Sequence, residues 1–314
     1  MPSTIKPPAL RPADNVRVLS LASPVDQNRL ASGVYELARL GYTPQFDPAS
    51  VLASEGFFAG SQAVRAQALT DAFRSPYIRA VICSRGGYGA NYLLPAFPAV
   101  PPPLPRIFVG YSDATSVALY LWKWFRWVTF YGPMVAAGLD HGAGNPRGYD
   151  SDSFSRALTE RVHGWSIPLD AEALTSGGAE GILLGGCLTL LETSIGTEWE
   201  LDAAGAILVL EDRGMKPWQV DRALMHLLHA GRFRGVTGVL LGDFPDCDPP
   251  AGTASVRDVV ARVLAPLGIP IVFGAPIGHT ARPMLTLPLG VRAHLTAGAG
   301  SSGPQLEILE PAVS

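Results

Sequence analysis

Three residues far apart in the chain stand where a side chain leaves the end of an apolar strand. Ser112 follows RIFVG at residues 106–110, Glu211 follows AILVL at 206–210, and His279 follows IVF and the loop GAPIG. A serine hydroxyl is a weak nucleophile until a neighbouring base takes its proton, and an acid must hold that base in the right tautomer. Ser, then Glu, then His is one of the chain orders in which such a triad is assembled. Ser112 sits at a strand-to-helix corner, where the hydroxyl projects from the sheet edge and the following backbone N–H groups can hold an oxyanion. GYSDA lacks the second glycine of the nucleophile-elbow pattern, and by itself Ser112 serves equally as a helix N-cap. Taken singly, Glu211 reads as an exposed carboxylate in the turn EDRG and His279 as a loop histidine.

Other reactive side chains form no such set. Cys83, Cys187 and Cys247 lie far apart without a CxxC pair, so neither a disulfide framework nor a structural zinc site is expected. Cys187 has no histidine near it in sequence and reads as a buried structural thiol. His226 and His229 are three apart on an expected helix with no third ligand nearby, which favours a plain helix face over a metal pair. His141 and His163 fall in loop-like surroundings. The run Arg85-Gly86-Gly87-Tyr88-Gly89 lacks both the Gly-Lys-Ser/Thr of a phosphate-binding loop and the full dinucleotide pattern.

The elements that must position these residues follow a strand–helix–strand rhythm. VRVLSLA opens as a strand, an amphipathic helix runs from Asp26 to Leu40, and Gly41 stops it before YTPQF. A second helix is expected over 61–73, strands over 80–83 and 106–110, and a helix over 114–125, with a stiff connector at 101–105. This alternation is that of a parallel α/β domain. Residues 138–153 are polar and glycine-rich, as in an interdomain linker or mobile loop. β-like segments resume at 181–184, 206–210, 236–241 and 271–273, with helices over 218–230 and 256–264. The expected organisation is an N-terminal extension (1–15), an α/β domain carrying Ser112 (16–137), a linker region (138–175) and a C-terminal domain carrying Glu211 and His279 (176–314).

Composition bounds the function. The 314 residues suit two domains of ordinary size, and a net charge of -3 without a basic cluster leaves no footprint for nucleic acid. The N-terminal segment has no apolar stretch behind its charges, and the most apolar region, 107–138, is interrupted by Asp113, Lys123 and Arg126. A soluble cytoplasmic protein without a membrane partner is expected, with a homodimer as its assembly.

Taken in order, Ser84-Arg85-Gly86-Gly87-Tyr88-Gly89, Gly110-Tyr111-Ser112-Asp113, Leu184-Gly185-Gly186, Leu210-Glu211-Asp212 with Val220-Asp221-Arg222, and Gly278-His279 resemble the LD-carboxypeptidase family of serine peptidases. The resemblance spans about residues 16 to 310. It implies an N-terminal parallel, flavodoxin-like α/β domain joined to a β-rich α/β C-terminal domain, with the active site at their interface. It implies Ser112 as nucleophile, His279 as general base and Glu211 as the group orienting it, with the N–H groups of Gly87 and Asp113 as the oxyanion hole. The substrate would be a muropeptide tetrapeptide losing its terminal D-alanine, without metal or organic cofactor. Arg85, Arg213, Lys216 and Arg282 are the candidates for binding the free carboxylate. Two departures bear on specificity: Gly186-Cys187-Leu188 replaces the family's Gly-Gly-Asn-Leu, and Met215-Lys216-Pro217-Trp218 replaces an acidic segment ending in Pro-Tyr. Two alternatives remain: an immunity-type peptidase cleaving aminoacyl-nucleotide toxins such as processed microcin C, and a non-catalytic peptide-binding protein.

Overall fold

The computed structural model describes residues 4–97, 104–249, 252–298 and 303–314. Residues 101–103 of the expected stiff connector lie outside them. In chain order the first part comprises β1 (Asn15–Leu19), α1 (Gln27–Arg39), β2 (Thr43–Gln45), α2 (Pro48–Val51), α3 (Gln62–Arg74), β3 (Ile78–Cys83), β4 (Ile107–Val109), α4 (Thr115–Phe125) and β5 (Thr129–Tyr131). Then come α5 (Ser151–Thr159), β6 (Trp165–Pro168), β7 (Glu172–Thr175), β8 (Gly177–Cys187), α6 (Leu188–Thr193), β9 (Ala206–Glu211), α7 (Pro217–His229) and β10 (Gly238–Gly242). The chain closes with α8 (Val256–Leu264), β11 (Ile271–Ala275), β12 (Leu287–Leu289), β13 (Arg292–Ala297) and β14 (Gln305–Ile308).

Local chemistry explains where the helices begin. The Asp26 carboxylate accepts the N–H groups of Asn28 and Arg29, Ser61 accepts from Val64, and Ser255 forms a capping box with Asp258. Each satisfies donors that the first helical turn leaves open. The strands β3, β4, β9 and β10 are almost wholly buried apolar runs, as expected of parallel strands covered on both faces.

The architecture is mixed α/β with two sheets. The first has the order β12-β5-β4-β3-β1-β2, parallel except for β12, which pairs antiparallel with β5. The second has the order β6-β14-β13-β8-β9-β10-β11-β7, with a parallel centre, β8 to β11, and antiparallel margins. The parallel order places the ends of β4 and β9, hence Ser112 and Glu211, at carboxyl edges where α/β sheets build sites.

Two features differ from the sequence expectation. The 138–175 stretch, expected as a linker, holds α5 and two strands, of which β6 borders β14 and β7 borders β11 at opposite margins of the second sheet. Their partners lie far downstream, Trp165 pairing with Ile308 and Thr175 with Ile271, beyond the reach of local periodicity. β12 returns from the C-terminal half to complete the first sheet, and one apolar core runs continuously between the sheets. Among the described residues, no helix is long and apolar enough to cross a membrane.

Candidate active site

Ser112 opens a single 3-10 turn (Ser112–Ala114) between β4 and α4. Its backbone takes φ +61°, a left-handed conformation that costs a non-glycine residue on the order of 1–3 kcal/mol and is concentrated at functional sites. The helix-cap reading does not hold, because neither the turn nor α4 begins with a side-chain cap hydrogen bond. Gly86 lies against this corner: a Cβ added there would fall 2.8 Å from Ser112 Oγ and 2.7 Å from its Cβ. Only glycine lets the 85–89 run lie directly over the serine.

Glu211 is the last residue of β9 and is wholly buried, in contrast to an exposed turn carboxylate. Its Oε2 accepts both the backbone N–H of His279, at 2.7 Å, and His279 Nδ1, at 2.8 Å. Its Oε1 accepts the Tyr131 hydroxyl at 2.5 Å. Burial alone would raise the Glu211 pKa, but the imidazole and the phenol outweigh it and hold the group below its ordinary value. For His279, burial pulls the pKa down and the Glu211 carboxylate pulls it up, with the carboxylate prevailing. Gly278 makes the approach possible, since a Cβ there would lie 2.3 Å from Glu211 Cδ, and its φ is +58°.

Ser112 and His279 line one cavity of about 770 Å³, together with Gly86, Gly87, Cys187 and Asp212. With Nδ1 taken by Glu211, His279 has Nε2 left for a proton transfer. The ring of Tyr111 packs edge-on against His279 at 5.0 Å and fixes its plane. Asp113, next to the serine, is buried, and its Oδ2 accepts the Ala90 N–H at 2.7 Å, holding the far end of the glycine run.

The four basic candidates separate. Arg85 and Arg213 line the cavity; Lys216 and Arg282 are not part of its wall. Arg213 is paired with Asp246 at 2.5 Å, and Arg282 is consumed by Asp243, Asp170 and the Gly274 carbonyl. Among the described residues, Arg85 donates only to the Pro24 carbonyl, at 3.2 Å. Sequence reasoning missed Arg29 and Arg147 in the same wall, both of which come from segments without a motif; Arg29 is paired with Asp140. Arg147 has φ +62°, and its N–H donates to the Ala281 carbonyl, two residues beyond His279. It makes no ion pair among the described residues.

The two departures fall differently. Cys187 belongs to the cavity wall, with Sγ 3.4 Å from Asp212 Oδ2, and burial holds the thiol well above its ordinary pKa, so it stays protonated. Trp218 is exposed at the start of α7, beneath the Arg222 guanidinium. His226 Nδ1 pairs with Glu192 on the exposed side of α7.

Models of the LD-carboxypeptidase N-terminal and C-terminal domains match residues 16–132 and 180–295. The chain is 31% identical over 313 residues to the probable murein peptide carboxypeptidase of Bacillus subtilis, covering 98% of this chain and 95% of that one. The muramoyltetrapeptide carboxypeptidase from Oxalobacter formigenes has a similar structure, with a TM-score of 0.80 and 26% identity over 95% of this chain and 99% of that one. The microcin C7 self immunity protein MccF, solved in complex with aspartyl sulfamoyl adenosine, has a TM-score of 0.90 at 24% identity, covering 99% of this chain and 100% of that one; this likeness is one of fold.

Proposed function

The chain belongs to the LD-carboxypeptidase family, and from that premise we propose that it is a serine carboxypeptidase hydrolysing the LD-peptide bond that releases the terminal D-alanine of a muropeptide tetrapeptide. Its setting would be the cytoplasm and the recycling of cell-wall fragments. The observation that carries the reading is the Glu211–His279 pair opening onto the same cavity as Ser112.

In this mechanism Ser112 Oγ attacks the carbonyl of the L-configured centre while His279 Nε2 takes its proton. The N–H groups of Gly87 and Asp113 receive the developing oxyanion, each such donor being worth about 3 kcal/mol in the transition state. His279 then protonates the departing D-alanine amine, and water hydrolyses the acyl-enzyme. Glu211 holds the ring and balances the imidazolium charge that forms.

An aminoacyl nucleotide is the competing substrate, and its base would need an aromatic face. Besides histidines, the one aromatic residue in the described cavity wall is Tyr111, already packed on His279 and Tyr131. This favours the peptide. The deciding experiment offers the purified protein a synthetic tetrapeptide and an aminoacyl sulfamoyl nucleotide and measures the acid released. D-Alanine release that disappears in Ser112→Ala, with binding retained, is expected; hydrolysis of the nucleotide alone, or undiminished release by the variant, would overturn the reading.

A further inference from the structure

Tyr131 belongs to no motif read from the sequence, yet it stands between the two halves of the site. It ends β5 in the first sheet, whereas Glu211 ends β9 in the second. Its ring is 1% exposed. Its hydroxyl donates to Glu211 Oε1 at 2.5 Å and accepts the Ser112 backbone N–H at 3.4 Å. The carboxylate is thereby divided, with Oε1 serving Tyr131 and Oε2 serving both donors of His279.

We propose that Tyr131 is a positioning residue that ties the backbone of Ser112 to Glu211 across the two sheets and sets how strongly Glu211 draws the proton of His279. Burial and the adjacent Glu211 push the Tyr131 phenol well above its ordinary pKa, so it remains a donor at any working pH. A buried carboxylate that loses one of its donors becomes a stronger proton acceptor, because the charged form loses more than the neutral one. The Glu211–His279 pair then holds its shared proton to a higher pH. Glu211, Asp212 and Arg213 are the charged groups acting on His279, with the phenols of Tyr111 and Tyr131 reaching the pair from the first sheet. Replacing the Tyr131 hydroxyl leaves all the others in place.

The inference rests on the triad reading above, and its test is chosen to fail separately from it. Tyr131→Phe keeps the ring and removes the hydroxyl. Its kcat for D-alanine release should fall about 10- to 100-fold, the value of a hydrogen bond to a charged group, with KM within about twofold. The His279 imidazole, followed by NMR without substrate, should titrate at a higher pH than in the parent protein. Unchanged kcat overturns the inference, and so does a reduced kcat with an unmoved titration, which would make Tyr131 a packing residue only. If the wild-type protein released no D-alanine while the titration still moved, the peptidase reading would fall and the coupling would stand. Should Tyr131→Phe not fold, the hydroxyl proton is sought in the parent protein as a strongly downfield resonance that Glu211→Gln abolishes; its absence there counts against the inference.

Discussion

His279 meets Glu211 twice through a single oxygen: its backbone N–H and its Nδ1 both lie on Glu211 Oε2, at 2.7 and 2.8 Å. One carboxylate oxygen therefore sets the position of the loop and the plane of the ring together. Gly278 lies so close to the carboxylate that a side chain at this position would collide with it, and its positive φ is one that glycine adopts without strain.

Glu211→Gln separates geometry from charge. The amide oxygen can still accept both His279 donors, so the ring stays oriented. The amide nitrogen, however, faces the Tyr131 hydroxyl, and the imidazolium formed during attack loses its counter-charge. Turnover should drop about 10³- to 10⁴-fold, the scale found when a triad carboxylate becomes an amide, with little change in fold. Steady-state kinetics beside circular dichroism check this, and undiminished turnover would refute the assigned role.

The pH profile follows from the same pair. His279 must be neutral to take the serine proton, and Glu211 holds its pKa above the ordinary value of about 6.5. The rate should therefore rise with pH through a limb centred above about 6.5. The sign for stability is opposite. A group whose folded pKa is raised adds stability that is full below its unfolded pKa and is lost as pH rises through the folded one. Measured kcat/KM between pH 5 and 9 tests the first statement, and a limb centred below the ordinary histidine value would contradict it.

Much of this was legible locally. Asp26, Ser61 and Ser255 announce helix starts because capping is a matter of neighbouring backbone donors. Ser112, Glu211 and His279 stand out because strand ends are visible as apolar runs that break. How these residues meet was not legible. Tyr131 looks like any strand aromatic until the end of β5 meets the end of β9 across the two sheets, and Arg282 looks like a free cation until Asp243 and Asp170 fold onto it. The positive φ of Ser112 is likewise imposed by the surrounding packing, since serine alone would not choose it.

Asp113 yields a prediction on stability. Burial pushes its carboxyl up to about 6, against the pull of the Ala90 N–H and the Arg65 guanidinium. The folded state thus binds this proton more tightly than the unfolded chain does. Stability should be greatest below the unfolded value of about 4 and decline as pH rises to the folded value, by on the order of 3 kcal/mol across the window. Asp113→Asn carries no charge and can still accept from Ala90, so it should lack this decline. Urea unfolding at several pH values from 4 to 8 compares the two proteins, and parallel stability curves would sink the argument.

The last prediction concerns the free carboxylate that an exopeptidase must recognise. Arg213 and Arg29 each face a carboxylate of their own, whereas Arg85, among the described residues, has only the Pro24 carbonyl and lies two residues before Gly87 in the run over Ser112. An uncompensated guanidinium that close to the reacting carbonyl is the one placed to take the D-alanine carboxylate, which is only a few bonds from the scissile nitrogen. Arg85→Gln should raise KM about 10- to 100-fold, as expected for losing a charge-assisted hydrogen bond, while Arg213→Gln should change it little. A substrate with a C-terminal amide closes the cycle. It should bind poorly to the parent protein, and Arg85→Gln should no longer distinguish acid from amide, because the two changes remove the same interaction. If the variant kept full discrimination against the amide, Arg85 would not be the anchor, and the same measurement on Arg147→Gln would test the other cavity arginine that lacks an ion pair.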